Sequence, residues 1–563
     1  MKTRHFWFLG FTAVFAALVG FVFWGTWSLD FAPVMPDCPT THAADAVVRT
    51  FRGVLTSGKF VPDTAKVALG GAYFWQELQY ALALYCAALG MAYFCRGRGL
   101  SRLASCGAGL LLAFSGYWCT LFSAGHLGWF QWMTYGVFAF GLADRAVRKG
   151  KSRSWLLLGA CVAWGSFYQT DLWLLFTVLT GAYFVWCCVR ERKLPWKGAL
   201  VAAAVFFLIG APSIRSAFVN DLASRDRQIE EGQTVAGNAK VDDAEKRWIF
   251  TTNWSLPPAE TAEFLVPRLN GDTSCPFTLS IGLKNGNGIK PYAGALGRPK
   301  DASQGNYRQH SLYVGFITCL LALLGILGFR TKRQAPGTKH QAPGTNSDFA
   351  FFAIAAVVCC LFSFGRYCEP VYRCVYALPF GDYLRAPVKW HHLTEFCLCV
   401  LAGYGIAWLE GLGVWKVWKV GRFAPWIVGA VVLAGALDLA RVDRLYCAPV
   451  NVGAARRTNS TMQMTVLTRE QFRNPQVSEM VRQGQIVSVA NYLGNPDAFV
   501  VGVLSKVAPL KPFDRGALDP LVLTLLGLSF LSTLGVVGWS VASLVGRNRR
   551  IGNCSAADGR NMV

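Results

Sequence analysis

Two groups of residues have types and positions suited to chemistry. The first is acidic. Phe6 to Trp27 is a nearly unbroken apolar run, and Asp30 and Asp37 follow it in a polar stretch that reaches about residue 70. A carboxylate just past such a run can stay ionised, accept a proton from a hydroxyl, or hold a divalent metal ion. The second group is cationic. Arg385 and Lys389 flank Pro387, and their four-residue spacing puts both on one face if the segment is helical. Paired cations at that spacing suit an anion such as a phosphate. His126 and Asp171 stand at two tight turns between apolar runs, where either could bond a hydroxyl or orient a neighbouring acid. Asp171 also suits the N-terminus of the run that follows it. Glu260 and Glu263 follow Pro257 and Pro258, and they could serve a substrate or stabilise a helix start. His391 and His392 are adjacent, so a helix would send them to different faces, which makes them poor partners for one metal.

The elements that must hold these residues are membrane spans. The chain has 563 residues, of which 53% are hydrophobic and only 15% charged, well below the roughly 25% charged of soluble domains. A helix of roughly 20 apolar residues crosses a hydrocarbon core of about 30 Å, and backbone in lipid must satisfy its own hydrogen bonds. The sequence predicts twelve such spans, at about 6–27, 71–95, 103–122, 127–143, 154–170, 172–189, 196–213, 312–329, 349–364, 391–410, 423–440 and 519–543. The first is too long for the apolar core of a secretory signal and has no small-residue cleavage site directly after it.

Charge sets the orientation. The net charge of +23 is carried by connections rather than by a nucleic-acid-binding patch. Alternate connections are basic: Lys2 and Arg4; Arg96, Arg98 and Arg102; Arg145, Arg148, Lys149, Lys151 and Arg153; Arg190, Arg192, Lys193 and Lys197; Arg330, Lys332, Arg333 and Lys339; Lys416, Lys419 and Arg422; and the tail with Arg547, Arg549 and Arg550. The positive-inside rule then puts both termini in the cytoplasm of a multi-pass inner-membrane protein. The opposite face carries the long segments 28–70, 214–311, 365–390 and 441–518. The expected organisation is a transmembrane domain over 1–440, a small extracytoplasmic α/β segment over 441–518, and a last span with its tail over 519–563. Within 441–518, residues 462–467 read as a strand, 468–483 as a helix and 486–489 as a strand.

The remaining signals are weaker. Gln334-Ala-Pro-Gly-Thr338 recurs at 341–345 and reads as flexible linker. Most of the 18 cysteines lie in apolar runs, where they act as small hydrophobes, and no CxxC…CxxC zinc spacing occurs. Cys368 and Cys374 are candidates for an outer-face bridge, with Cys38, Cys275 and Cys447 as other partners.

Four stretches, in order, resemble the bacterial YfhO-like membrane protein family, a branch of the GT-C class of polytopic glycosyltransferases. They are Phe114-Ser-Gly-Tyr117 through Gly125-His126-Leu127 to Asp144-Arg145; Trp254-Ser-Leu-Pro-Pro258 with Glu263-Phe-Leu-Val-Pro267; Tyr313-Val-Gly315; and Phe364-Gly365, Pro370-Val-Tyr372 and Leu384-Arg-Ala-Pro387 up to Gly403-Tyr-Gly405. The resemblance spans about two thirds of the chain. It departs from the family in the loop after the first span, which reads Asp30-Phe-Ala-Pro-Val-Met-Pro-Asp37. It implies an all-α, GT-C-like enzyme that moves a sugar from a polyprenyl-phosphate donor to a cell-envelope glycan or lipid, with membrane lipid as its setting. In that reading Asp30, then Asp37, is the base or metal ligand. Arg385 and Lys389 hold the phosphate, and His126, Asp171 and Glu263 contact substrate. A lipid-glycan flippase or other transporter, and a non-catalytic envelope scaffold, are the rival readings.

Overall fold

The computed structural model describes residues 2–27, 31–33, 40–41, 52, 55, 74–121, 127–168, 170–231, 243–270, 311–330, 345–412, 423–447, 449–451, 453, 458, 460–491, 498–506 and 518–558. In chain order its helices are α1 (Lys2–Val22), α2 (Phe74–Gly97), α3 (Arg102–Ala113), α4 (Gly116–Cys119), α5 (Leu127–Lys149), α6 (Ser152–Gly165), α7 (Thr170–Glu191), α8 (Trp196–Ser216), α9 (Leu222–Glu231), α10 (Asp243–Thr252), α11 (Phe316–Arg330), α12 (Thr345–Ser363), α13 (Glu369–Tyr376), α14 (Trp390–Glu410), α15 (Ala424–Tyr446), α16 (Arg469–Phe472), α17 (Pro475–Arg482) and α18 (Pro520–Asp558). The strands are β1 (Phe31–Pro33), β2 (Thr40–Thr41), β3 (Pro449–Asn451), β4 (Ser460–Thr468), β5 (Ile486–Asn491) and β6 (Ala498–Lys506).

The protein is mostly helical. Among the described residues, six helical stretches are long and apolar enough to cross a membrane: Leu78–Gly97, Asp171–Glu191, Trp196–Arg227, Pro387–Glu410, Ala424–Tyr446 and Pro520–Ser543. A bent pair, Asp348–Ser363 with Gly365–Tyr376, turns by 110° and makes up to seven. Three shorter apolar helices, Phe6–Val22, Arg102–Ala113 and Phe316–Gly328, coincide with other apolar runs. Six or seven is fewer than the twelve the sequence predicts. The 365–390 segment, expected as a connection, does not form a plain loop. It bends back from α12 as short helices, because Gly365 adopts φ +49° and Pro370 opens a new helix at α13.

α14 is the centre of the bundle. Its span is 72% buried, whereas that of α18 is 17% buried, so α18 lies at the periphery against α8. α3, α11 and α12 pack on α14, α2 packs on α3 and α5, and α5 continues to α6 and α7. At the α11–α14 crossing the backbones nearly touch: a Cβ on Gly325 would meet the Leu401 carbonyl at 2.6 Å. In lipid, where apolar side chains gain little by leaving one another's company, such close approach supplies van der Waals contact.

Several basic residues that mark topology in the sequence also bind the bundle. Arg98 is fully buried and pairs with Asp144 at 2.8 Å and with Asp348. Arg190 pairs with Asp144 at 3.0 Å and with Asp348, and Arg148 reaches Asp144 at 2.5 Å. The two carboxylates are shared by three guanidiniums, which ties the ends of α2, α5, α7 and α12 together. Taking these charges out of water is costly, and the shared pairing offsets that cost.

The late segment is a small sheet of order β2-β4-β6-β5, antiparallel throughout, covered by α16 and α17 around Leu467, Val477, Met480, Ile486 and Val501. The expected strand–helix–strand is present, with a further strand, β6, paired to both β4 and β5. α15 runs on to Tyr446, past the boundary expected at 440. β1 pairs with β3, and β2 with β4, so residues 31–33 and 40–41 after the first helix are stitched to residues 449–451 and 461–462.

Candidate functional site

Backbone strain marks where the fold concentrates constraint. Trp254, Phe380 and Ala386 are non-glycine residues at φ 62°, 63° and 66°, and Gly365 is at +49°. Left-handed backbone costs about 1 kcal/mol or more per non-glycine residue, so surrounding contacts must hold it. They do so by knotting several connections together. The Leu256 N–H donates to the Ser363 carbonyl at 2.8 Å, the Val388 N–H to Trp254 at 3.1 Å, and the Val314 N–H to Phe264 at 3.2 Å. The Gly116 N–H donates to Tyr313 at 2.9 Å, and the Arg366 N–H to Ser255 Oγ at 3.0 Å. Tyr117, Leu256, Leu312 and Val388 form the apolar centre, with Trp254, Phe264, Phe364 and Ala386 against it. A Cβ on Gly365 would collide with Ser255 Oγ and Pro387. Residues from four stretches far apart in the sequence therefore meet in one knot over the start of α14.

Beside this knot lies a cluster of charge. Asp171 sits in the first turn of α7 and is 4% exposed; its Oδ1 accepts the Leu172 N–H at 2.9 Å. Its Oδ2 accepts from Lys389 Nζ and from Arg225 Nη2, the latter at 3.2 Å. Lys389 is 6% exposed and caps α14. Arg225, from α9, also donates to the Tyr383 carbonyl. The neighbouring loops are braced by Arg247, which pairs with Asp226 at 3.1 Å and Asp382 at 3.3 Å, and by Tyr383 Oη on Asp226 at 3.2 Å.

Arg385 completes the cluster. Its guanidinium stands 5.3 Å over the Phe250 ring and pairs with no carboxylate among the described residues. Burial and then the Arg225 cation push it below its ordinary value, with Asp171 opposing. Three cations thus face one carboxylate at the N-terminal ends of α7 and α14, where the helix dipoles add further positive potential. The arrangement can take up an anion.

The chain matches no family model, no curated protein and no solved structure.

Asp171, Arg385 and Lys389 are brought together, 218 positions separating the ion pair of Asp171 and Lys389. Glu263 is 1% exposed and accepts from the Asn270 N–H at 2.9 Å and from Asn270 Nδ2 at 3.0 Å, so it closes its own loop. Asp30, Asp37 and His126 lie outside the described residues. Among the described residues, no group of three or more His, Cys, Asp or Glu could hold a metal ion. Cys368 and Cys374 are both free thiols. Cys374 lies in α13 and Cys368 caps it, and six residues of helix rise about 9 Å, beyond the reach of a disulfide.

Two residues escape sequence reasoning. Arg225 lies in the charge-rich run Ser224-Arg-Asp-Arg-Gln-Ile-Glu-Glu231, where nothing sets it apart from Arg227. Glu395 lies inside α14, fully buried. Its signal is visible with hindsight: it is an acid within a late apolar run, three and four residues after His392 and His391.

Proposed function

We propose that the chain is an integral membrane glycosyltransferase of GT-C type, with twelve spans and both termini cytoplasmic, acting at the outer face of the inner membrane. The donor is a polyprenyl-phosphate sugar and the acceptor a cell-envelope glycan or lipid. The observation that carries this reading is the cluster of Arg225, Arg385 and Lys389 around the single carboxylate of Asp171, at the end of two spans. A lipid-linked phosphate is an anion delivered at that depth, and Arg385 is the cation of the cluster that has no carboxylate partner among the described residues.

In the reaction the acceptor hydroxyl attacks the anomeric carbon, the bond from that carbon to the phosphate oxygen breaks, and polyprenyl phosphate leaves. Arg385, with Arg225 and Lys389, stabilises the charge that develops on the phosphate. The hydroxyl proton goes to a carboxylate, Asp30 first and Asp37 second. Asp171 is engaged by Lys389 and Arg225, so its role is to place those cations. A divalent metal ion, if used, would sit with Asp30 or Asp37.

The 110° break between α12 and α13 beside the cluster favours one other reading, movement of the same lipid-linked sugar across the bilayer. The test is transfer of labelled sugar from a polyprenyl-phosphate donor to an acceptor glycan in proteoliposomes, by wild type and Asp30→Asn. Turnover lost in Asp30→Asn, with donor binding retained, supports the transferase. A fully active Asp30→Asn removes Asp30 from the mechanism. Donor that changes leaflet without cleavage replaces the transferase with the transporter.

A further inference from the structure

We propose that Glu395, His391 and His392 form a proton-binding site inside the bundle, separate from the anion cluster and independent of the sugar-transfer reading. All three side chains are fully buried in α14. Glu395 Oε1 accepts from Ser115 Oγ at 2.6 Å and from the Tyr117 N–H at 3.2 Å. Its second oxygen, Oε2, has no hydrogen-bond partner among the described residues. The two imidazoles flank the carboxyl: His391 Nε2 lies 3.7 Å from Oε1, and His392 Nδ1 lies 4.0 Å from Oε2. The Tyr117 ring covers both, its centroid 4.1 Å from His392 and 5.1 Å from His391, and Phe264 stacks on His391 at 4.2 Å.

A structural cap for α4 needs only Oε1. It does not account for a buried carboxyl oxygen left without a donor, nor for two imidazoles within 4.0 Å of one acid. The chemistry that does account for them is a shared proton. With no proton the group carries a buried negative charge, and the nearby cation, Lys389, is committed to Asp171. With one proton the group is neutral overall, either as a carboxylic acid with two neutral imidazoles or as a carboxylate beside one imidazolium. Burial opposes the ionised carboxylate, while the two donors on Oε1 favour it, and the two imidazoles stand close enough to share the proton. The proton comes from water and returns to it, and only an O–H or N–H bond is made or broken.

Other titratable groups face this site. Cys399 is on the same helix, Cys319 comes from α11, and Asp443 comes from α15 with Cys119 beside it. Because Ser115 and Tyr117 open α4 within the knot, the charge on Glu395 also sets how firmly the knot is held.

Infrared titration of the full chain in lipid nanodiscs, from about pH 4 to about pH 9, tests the site through the carbonyl stretch of a protonated, non-aqueous carboxyl. The expected result is a band that titrates within this range, is absent in Glu395→Gln and persists in Asp443→Asn. Its midpoint should move by about one pH unit or more in His391→Gln and in His392→Gln. A wild-type Glu395 that stays protonated, or stays ionised, across the whole range overturns the proposal and leaves a static cap. That measurement needs no variant to fold. It also needs no lipid phosphate, so its failure is distinct from failure of the transferase reading.

Discussion

Replacing Arg385 by Gln removes the cation of the cluster that has no carboxylate partner among the described residues, while keeping a long polar side chain. At about 4 Å, a unit charge on each side interacts by roughly 4 kcal/mol at an effective dielectric constant of about 20, and by about 1 kcal/mol in water. Arg385 is half-buried at the end of a span, which lies between those limits. A loss of about 2 kcal/mol follows, or roughly 30-fold in Kd for a phosphate ligand. Asp171 supplies the internal control. Asp171→Asn removes the carboxylate that competes with the ligand, so anion affinity should hold or rise, although Lys389, 6% exposed, is then left buried without its partner. The assay is thermophoresis of purified protein in detergent against a short polyprenyl phosphate, repeated over a salt series. Wild-type affinity should fall with salt more steeply than that of Arg385→Gln. The reasoning is refuted if Arg385→Gln binds as wild type does, or if Asp171→Asn weakens binding as much as Arg385→Gln.

Two further outcomes concern stability. Arg98→Met should cost about 3–5 kcal/mol, because it leaves the fully buried Asp348 short of a partner, and Arg98→Met with Asp348→Leu should cost less than the single change; melting in detergent measures both. Just before α11, burial and a hydrogen bond to Asp438 push the Tyr313 phenol up to about 12. The unfolded chain releases that proton near pH 10 and the folded chain keeps it, so this residue's contribution to stability is present below about pH 10 and is lost as pH rises toward about 12. Tyr313→Phe should flatten that part of the alkaline melting curve, and an unchanged slope would show that the pair does not carry it.

The one-dimensional pattern determined a helical protein with spans able to cross a membrane, because a run such as Ala424–Tyr446 has a single stable way to satisfy its backbone in lipid. It also determined the strand–helix–strand rhythm after residue 460 and singled out Asp171, Arg385 and Lys389 as residues placed at span ends. Tertiary structure alone decided which of these meet. The partner of Lys389 lies 218 positions away, and no local spacing encodes that Arg225 joins them from a charge-rich helix. The same holds for Arg98, which reads as a topology marker until Asp144 and Asp348 close on it, and for Glu395, whose surroundings are built by Ser115 and Tyr117 from another helix layer. Period and hydropathy are local properties of a chain. The electrostatic worth of a side chain depends on burial and on which opposite charge lies within a few ångströms, and those are set only when the helices pack.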